Sequence, residues 1–312
     1  MKLISVVGPT ASGKTTLGVL LAKQLNGEVV SIDSMQIYQG MTIGTAAPTA
    51  AETEGVPHHM VGIADPAENW SAARFVQAAD TCIQDILSRG KRPILVGGTG
   101  LYLDAVLAGR TFASGSAEGE IRSQLNRELA EGGIAPLLAE LERVDPESAR
   151  RLHPADTKRV LRALEVWRET GKTISQHNAE TQVLPKKYES VTIGLAFRDR
   201  EDMKSLIDRR VDAMLAAGLP DEVRALAARG LPDGATALQA IGYKELLPAL
   251  RGETTLEAAA EEIKLRSRQY AKRQLTWLRR NPDIRWIYWE KERNFAAALQ
   301  IATEILMEEG IQ

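Results

Sequence analysis

Gly8-Pro9-Thr10-Ala11-Ser12-Gly13-Lys14-Thr15 is the stretch on which the fold of this chain turns. Its glycines stand where backbone must approach an anion, its lysine can reach phosphate oxygens, and its last hydroxyl suits Mg²⁺. Upstream, Leu3 to Val7 is a short apolar run; downstream, Leu17, Leu20, Leu21 and Leu25 recur at helical spacing. Strand, glycine-rich loop and helix in this order are what a phosphate-binding loop requires, because the helix start adds unpaired amides and the positive end of a dipole. The loop predicts a diphosphate or nucleotide-like ligand. It selects no reaction, since kinases, nucleotide hydrolases and transferases with a diphosphate leaving group can all use it. The Asn-Lys-x-Asp signature of guanine selection is absent.

Working outward, Val29-Val30-Ser31-Ile32 stops at Asp33, and Pro93-Ile94-Leu95-Val96 stops at Gly97-Gly98-Thr99-Gly100. Between them Ser71 to Ser88 reads as a helix capped by Ser71, with Phe75, Val76, Ala79, Ile83 and Leu87 on its buried side. Strands alternating with helices imply an α/β fold with a parallel sheet and helices on both faces. The loops after Val7, Ile32 and Val96 are then expected to share one mouth beyond the carboxyl ends of the strands, whose order stays undetermined.

A chain of 312 residues exceeds the size at which a single core stops growing, about 250 residues, so two units are expected. From about Ala113 to Leu184 the pattern turns helical without convincing strands, bracketed by Ser114-Gly115-Ser116 and Leu184-Pro185-Lys186-Lys187 as hinges. Val191 to Phe197 and Ile284 to Trp289 read as strands that return to the sheet. The expectation is a core of residues 1–112 and 190–312 with an inserted all-helical subdomain, 113–189.

Composition is globular, 44% hydrophobic and 26% charged, with no apolar run near the ~20 residues of a membrane span. The short apolar start before Gly8 is not a signal-peptide core, and the one cysteine, Cys82, excludes a disulfide framework. Both point to the cytoplasm, with Cys82 a small buried residue rather than a reactive thiol. Net charge is −2, which gives no global sign of nucleic-acid binding. Locally, Lys264, Arg266, Arg268, Lys272, Arg273, Arg279 and Arg280 follow one another without an acidic residue.

Several positions can carry chemistry. Asp33, with Gln36 three residues on, reads as a helix capping box, a Mg²⁺ carboxylate or a general base. Gly97 to Tyr102 is either a ligand-approach turn with Thr99 as a contact or a purely structural strand-to-helix turn. His58 and His59 are read in a loop after Pro57, without the partners a metal site needs. The segment Gln269 to Arg280 alternates basic and aromatic residues, as nucleic-acid contacts do and as a solvated face over a packed stripe also does.

Taken together, Gly8 to Thr15, Asp33-Ser34-Met35-Gln36-Ile37-Tyr38, Ile43-Gly44-Thr45-Ala46, Pro57-His58-His59, Gly97 to Tyr102, Arg162-Ala163-Leu164-Glu165-Val166 and Lys272-Arg273-Gln274-Leu275-Thr276-Trp277 resemble, in content and order, the bacterial tRNA dimethylallyltransferase family. The resemblance spans Gly8 to about Arg279. It implies transfer of a dimethylallyl group from its diphosphate to the exocyclic N6 amine of the adenosine 3′ to a tRNA anticodon, on a monomer, with Mg²⁺. A small-molecule kinase on the same loop is the alternative. By resemblance Gly8, Thr10, Ala11, Ser12, Gly13, Lys14 and Thr15 would hold the diphosphate, Thr15 also the metal, and Asp33, Thr15 and Arg210 would be catalytic. Asp33, Ser34, Met35, Gln36, Thr99, Arg122, Lys158, Arg159, Arg162, Gly242, Tyr243, Lys244, Lys272, Arg273 and Gln274 would touch the tRNA, and the inserted subdomain would grip the anticodon stem-loop. Leu206 departs from the family, which often has arginine there; Arg209 is the expected substitute.

Overall fold

The computed structural model describes residues 2–110, 112, 119–182, 185–232 and 234–311. Its strands β1 (Leu3–Val7), β2 (Gly27–Ile32), β3 (His58–His59), β4 (Arg92–Gly97), β5 (Ser190–Phe197) and β6 (Arg285–Trp289) form one all-parallel sheet in the order β3-β2-β4-β1-β5-β6. Every residue of β1 is buried, as a central strand covered on both faces must be. On one face Ile4, Val6, Ile94 and Ile193 join Leu17 and Leu21 of the Lys14–Gln24 helix in a single apolar cluster. Leu3, Val30 and Leu95 alternate with these along their strands and so point to the other face. The Ala72–Ser88 helix packs on β2 and β4, and the Ser71 hydroxyl accepts a hydrogen bond from Arg74 N at 3.2 Å. Its core stripe ends on Ile86, and Leu87, expected there, is only partly buried: after Ile83 the step of three keeps closer to the stripe's axis than the step of four.

Strand order locates the mouth. The chain runs from β1 toward β2 and β3, then returns through β4 to β5 and β6 on the opposite side of β1. Neighbours β1 and β4 therefore send their loops in opposite directions, which opens a crevice at their carboxyl ends. Register sets the ends level, with Val7 beside Gly97 and Gly97 beside Ile32.

His58 and His59 are not in a loop. They form the short edge strand β3, paired with Val29 and Val30. Two residues are too few to show a period, so sequence pattern could not reveal them. At the amino end of β2, Glu28 is 2% exposed and receives Arg89 at 2.6 and 2.7 Å, Lys91 at 2.7 Å and His59 at 2.7 Å. Arg89 above all, then Lys91 and His59, hold its carboxyl well below the usual range against the opposing effect of burial. This cluster ties β2 to β3 and to the turn entering β4.

The chain divides into two compact units, Met1–Gly109 with Lys187–Gln312, and Arg110–Lys186. The expected hinge Ser114-Gly115-Ser116, and Leu184 of the other, lie outside the described residues. The second unit holds the helices Glu120–Gly132, Ile134–Val144, Pro146–Arg151, Thr157–Thr170 and Ile174–Gln182, and no strand among its described residues. Leu125, Leu137, Leu141, Val160 and Leu164 give it a core of its own. Arg168 bridges Glu128 and Glu140, fastening three of its helices together.

Glu28→Gln is expected to lower stability by about 2 kcal/mol, below the cost of breaking a fully buried pair because solvent reaches the cations. Urea denaturation checks it. The carboxyl is held down in the fold, so its contribution exists above the unfolded value of about 4.3 and the difference from wild type should shrink as pH falls below that.

Candidate active site

The loop after β1 is built to present amides outward. Gly13 has φ 83° and Ala11, although not a glycine, φ 64°, a left-handed conformation that costs an alanine about 1 kcal/mol. Three of the loop's carbonyls accept hydrogen bonds from the protein. Pro9 O accepts from Ser12 N and from Lys14 Nζ, both at 3.2 Å. Ala11 O accepts from Arg293 Nη1 at 3.3 Å, and Ser12 O from Trp289 Nε1 at 2.7 Å. The first amides of the helix that begins at Lys14 have no partner within that helix, so they are available to an anion.

Lys14, Thr15, Ser31, Asp33, Gln36 and His58 line one pocket at this mouth. Burial first, and then the positive charge of Arg210, bring the Lys14 ammonium down to about 8, against the pull of Asp33. Arg210 is shifted down too, by burial first, with Asp33 and Glu52 opposing. Lys14 and Thr15 of the loop and Asp33 after β2 thus share one pocket, and Arg210, on the Arg200–Ala216 helix, is electrostatically coupled to Lys14 and Asp33.

Asp33 divides its work between its two oxygens. Oδ1 accepts from Met35 N at 2.9 Å and Gln36 N at 3.3 Å, closing an Asx turn. Oδ2 makes no hydrogen bond among the described residues. No helix follows and Gln36 does not reach back, so the capping box is absent. Instead Gln36 accepts from Ser31 Oγ at 2.8 Å and donates to Thr45 O and Ala46 O at 3.3 and 3.1 Å. The other side of that loop is gripped by Glu222, which accepts from the amides of Thr42, Ile43 and Gly44, from the Thr42 hydroxyl and from the Tyr243 phenol. Burial would raise the Glu222 carboxyl; the amides of Gly44 and Ile43 outweigh it and hold it below its usual value. Gly44 admits the Tyr243 ring, because a Cβ there would lie 2.4 Å from it.

The Leu256–Leu278 helix has two unlike faces. Inward, Gln274 accepts from Thr10 N at 2.9 Å and donates to Gly98 O at 3.2 Å, while Trp277 donates to Asp104 at 2.8 Å. Tyr270 lies on this side, its phenol pushed up to about 12 by burial first and then by the charge of Asp33. Outward, Lys272, Arg273, Arg279 and Arg280 are exposed and form no ion pair among the described residues. The earlier cations of the run are neutralised: Lys264 by Asp212 and Glu261, Arg266 by Glu262, Arg268 by Asp208. The basic patch is thus shorter than the sequence suggests.

Other expected contacts are placed variously. Gln274 and Tyr243, expected to touch RNA, are 5% and 0% exposed, with their polar atoms engaged in the protein; Gly242 is also buried, and Lys244 is exposed. Thr99 stands at the start of the Gly100–Ala108 helix, its hydroxyl capping no amide. In the helical unit Lys158 and Arg159 are exposed, and buried Glu165 holds Arg162 at 2.9 Å and Arg122 at 3.7 Å. Leu206 packs against the core, and Arg209 is exposed. Cys82 is partly buried, its thiol pushed up by burial and by Asp85.

Among the described residues no three His, Cys, Asp or Glu converge as a metal cage. The Thr15 hydroxyl and the Asp33 carboxylate, on one pocket with Lys14, do suit Mg²⁺, which takes one or two protein oxygens and completes its shell with phosphate and water.

The family profile described as IPP transferase matches residues 36–281, and that of isopentenyl transferase matches residues 1–61. The chain belongs to the IPP transferase family. The tRNA dimethylallyltransferase 1 of Pelobacter propionicus is 46% identical over 299 residues, 96% of either chain, and the tRNA dimethylallyltransferase of Halalkalibacterium halodurans is 46% identical over 285 residues, 91% of this chain and 90% of its own. Among solved structures, the full-length tRNA isopentenylpyrophosphate transferase of Bacillus halodurans aligns with TM-score 0.72 at 41% identity, covering 99% of this chain and 98% of its own. A eukaryotic dimethylallyltransferase acting on tRNA aligns with TM-score 0.84 at 32% identity, covering all of this chain and 80% of its own.

For this IPP transferase, sequence reasoning missed Glu222, Trp289 and Arg293, single residues outside any motif whose roles arise only on folding. Glu222→Gln is expected to cost roughly 2 kcal/mol in urea denaturation, because it leaves amides of the 42–44 loop facing an amide that can itself donate.

Proposed function

We propose that this chain transfers a dimethylallyl group from dimethylallyl diphosphate to the N6 amine of the adenosine 3′-adjacent to a tRNA anticodon, releasing diphosphate. The observation that carries this reading is that Lys14, Thr15 and Asp33 line one pocket, with Arg210 electrostatically coupled to Lys14 and Asp33. The names of the relatives favour it over phosphoryl transfer to a small acceptor.

A neutral adenine amine is a weak nucleophile, whereas an allylic diphosphate ionises readily once the departing charge is neutralised. Lys14, Arg210 and the amides from Thr10 onward at the helix start supply that neutralisation where the negative charge develops. The Thr10 amide is held by Gln274, so the work falls on the later amides and the two cations. The C1–O bond of the donor breaks, the N6–C1 bond forms, and the amine proton passes to Asp33 through Oδ2. Mg²⁺ bound between Thr15 and the diphosphate would add charge neutralisation there. The target base lies in a loop, so drawing it out of its stack costs little.

On this reading the tRNA is met by Asp33 to Gln36 and Thr99 at the mouth, by Lys244, Lys272 and Arg273 on the core, and by Arg122, Lys158, Arg159 and Arg162 of the helical unit, which grips the anticodon stem-loop. Glu165 then serves to aim Arg122 and Arg162. Tyr243 and Gln274 act behind this surface. The enzyme is read as a cytoplasmic monomer, in keeping with a chain in which no described helix is long and apolar enough to cross a membrane.

Mass analysis of unmodified tRNA incubated with protein, Mg²⁺ and dimethylallyl diphosphate, without ATP, tests the reading: one C5H8 unit should be gained, and an unchanged mass overturns it. Asp33→Ala should lower kcat by about 10²-fold or more with tRNA affinity retained. Because Lys14 loses its proton near 8, donor affinity should fall as pH rises from about 7 to about 9.5 and Lys14→Met should lack this dependence, as measured by KM across that range.

A further inference from the structure

We infer that Arg293 is a further diphosphate-binding group, an inference that rests on the diphosphate-releasing reaction proposed above. Arg293 follows β6 and lies beyond the matched IPP transferase segment, which ends at residue 281. Its Nη1 donates to Ala11 O at 3.3 Å, and its Cδ lies 3.6 Å from where a Cβ on Gly13 would stand. The guanidinium rests 5.6 Å from the centre of the Phe295 ring, whose edge also closes on Gly13. The residue thus lies against the phosphate loop and is exposed to solvent.

Beyond its contact with the Phe295 ring, the Arg293 charge has no carboxylate partner among the described residues. Arg293 is electrostatically coupled to Arg209 and to Arg210, and Arg210 to Lys14. None of the three arginines forms an ion pair with a carboxylate among the described residues. Holding Ala11 O requires only a neutral donor, as Trp289 shows at Ser12 O in the same loop. A cation in that place, beside two others, is repulsive until an anion of more than one charge arrives. A guanidinium with one N–H committed to the loop keeps further donors for phosphate oxygens.

The test compares inhibition by inorganic diphosphate, KM for dimethylallyl diphosphate and Kd for tRNA in wild type, Arg293→Gln, Arg293→Lys and Arg209→Gln, with unfolding temperature alongside. Arg293→Gln should raise the diphosphate Ki and the donor KM about tenfold, equivalent to about 1.4 kcal/mol, leave tRNA Kd within about twofold, and flatten the salt dependence of inhibition. Arg293→Lys should recover most of the loss, and Arg209→Gln should show a smaller effect of the same kind. An unchanged Ki with a lowered unfolding temperature overturns the inference and leaves Arg293 a buttress. A loss confined to tRNA affinity also overturns it and assigns the residue to RNA phosphates. Wild type that is active and diphosphate-sensitive while Arg293→Gln matches it refutes this inference alone; wild type that neither modifies tRNA nor responds to diphosphate refutes the proposed function with it.

Discussion

A loop can offer its amides to an anion only if its carbonyls are satisfied somewhere else. In this chain that requirement reaches nearly every element of the core. Lys14 serves Pro9 O from the loop itself, but Trp289 and Arg293 come from the last strand and the segment after it, and Gln274, which fixes the Thr10 amide, comes from a helix more than 250 positions downstream. The strands β5 and β6 must therefore be laid on the free edge of β1 before the loop is complete. An insertion between β4 and β5 is tolerable under this constraint because β5 pairs directly with β1, at residues Leu3 to Val7, whatever precedes it in sequence.

Ion pairing separates cations that hold the fold from cations kept for a ligand. Arg89 and Lys91 are spent on Glu28, Arg168 on Glu128 and Glu140, and the first half of the basic run on Asp208, Asp212, Glu261 and Glu262. Lys14, Arg210, Arg293, Lys272 and Arg273 have no such carboxylate among the described residues. A net charge of −2 conceals this division entirely. What matters to a polyanion is which positive charges remain after the protein has neutralised its own, and those at the loop and on the outer face of the Leu256–Leu278 helix are among them.

The elements that were legible in the sequence are those set by local pattern. The strands that end at Val7, Ile32 and Gly97, the Ser71 cap and the loop itself follow from apolar runs, spacing and turn chemistry within a dozen residues. What escaped is set by pairing across distance. The His58–His59 strand exists only because β2 offers it an edge, and Glu28 needs three partners, Arg89, Lys91 and His59, brought together by folding. The motif around Gln274 was visible, but its direction was not: lysine, arginine and glutamine at successive helix positions look alike as a polar stretch, and the rotation of about 100° between neighbours sends the third one inward. Tyr243, an RNA contact by resemblance, turns its phenol to Glu222.

Asp33 shows why a motif residue need not choose between structure and chemistry. A carboxylate has two oxygens, and here the turn uses only Oδ1. That bond fixes the side chain's rotation, so the free Oδ2 is aimed without any entropy left to lose when a proton donor arrives. Gln36 extends the arrangement: its backbone amide holds Asp33, while its side chain binds Ser31 and the 45–46 carbonyls, and Glu222 holds the same loop from its other side. Asp33 is thereby tied through one short path to β2 and through another to Glu222, near the start of the Leu219–Ala227 helix. An Asx turn in this position fixes one carboxylate oxygen to the backbone and leaves the other without a hydrogen bond among the described residues.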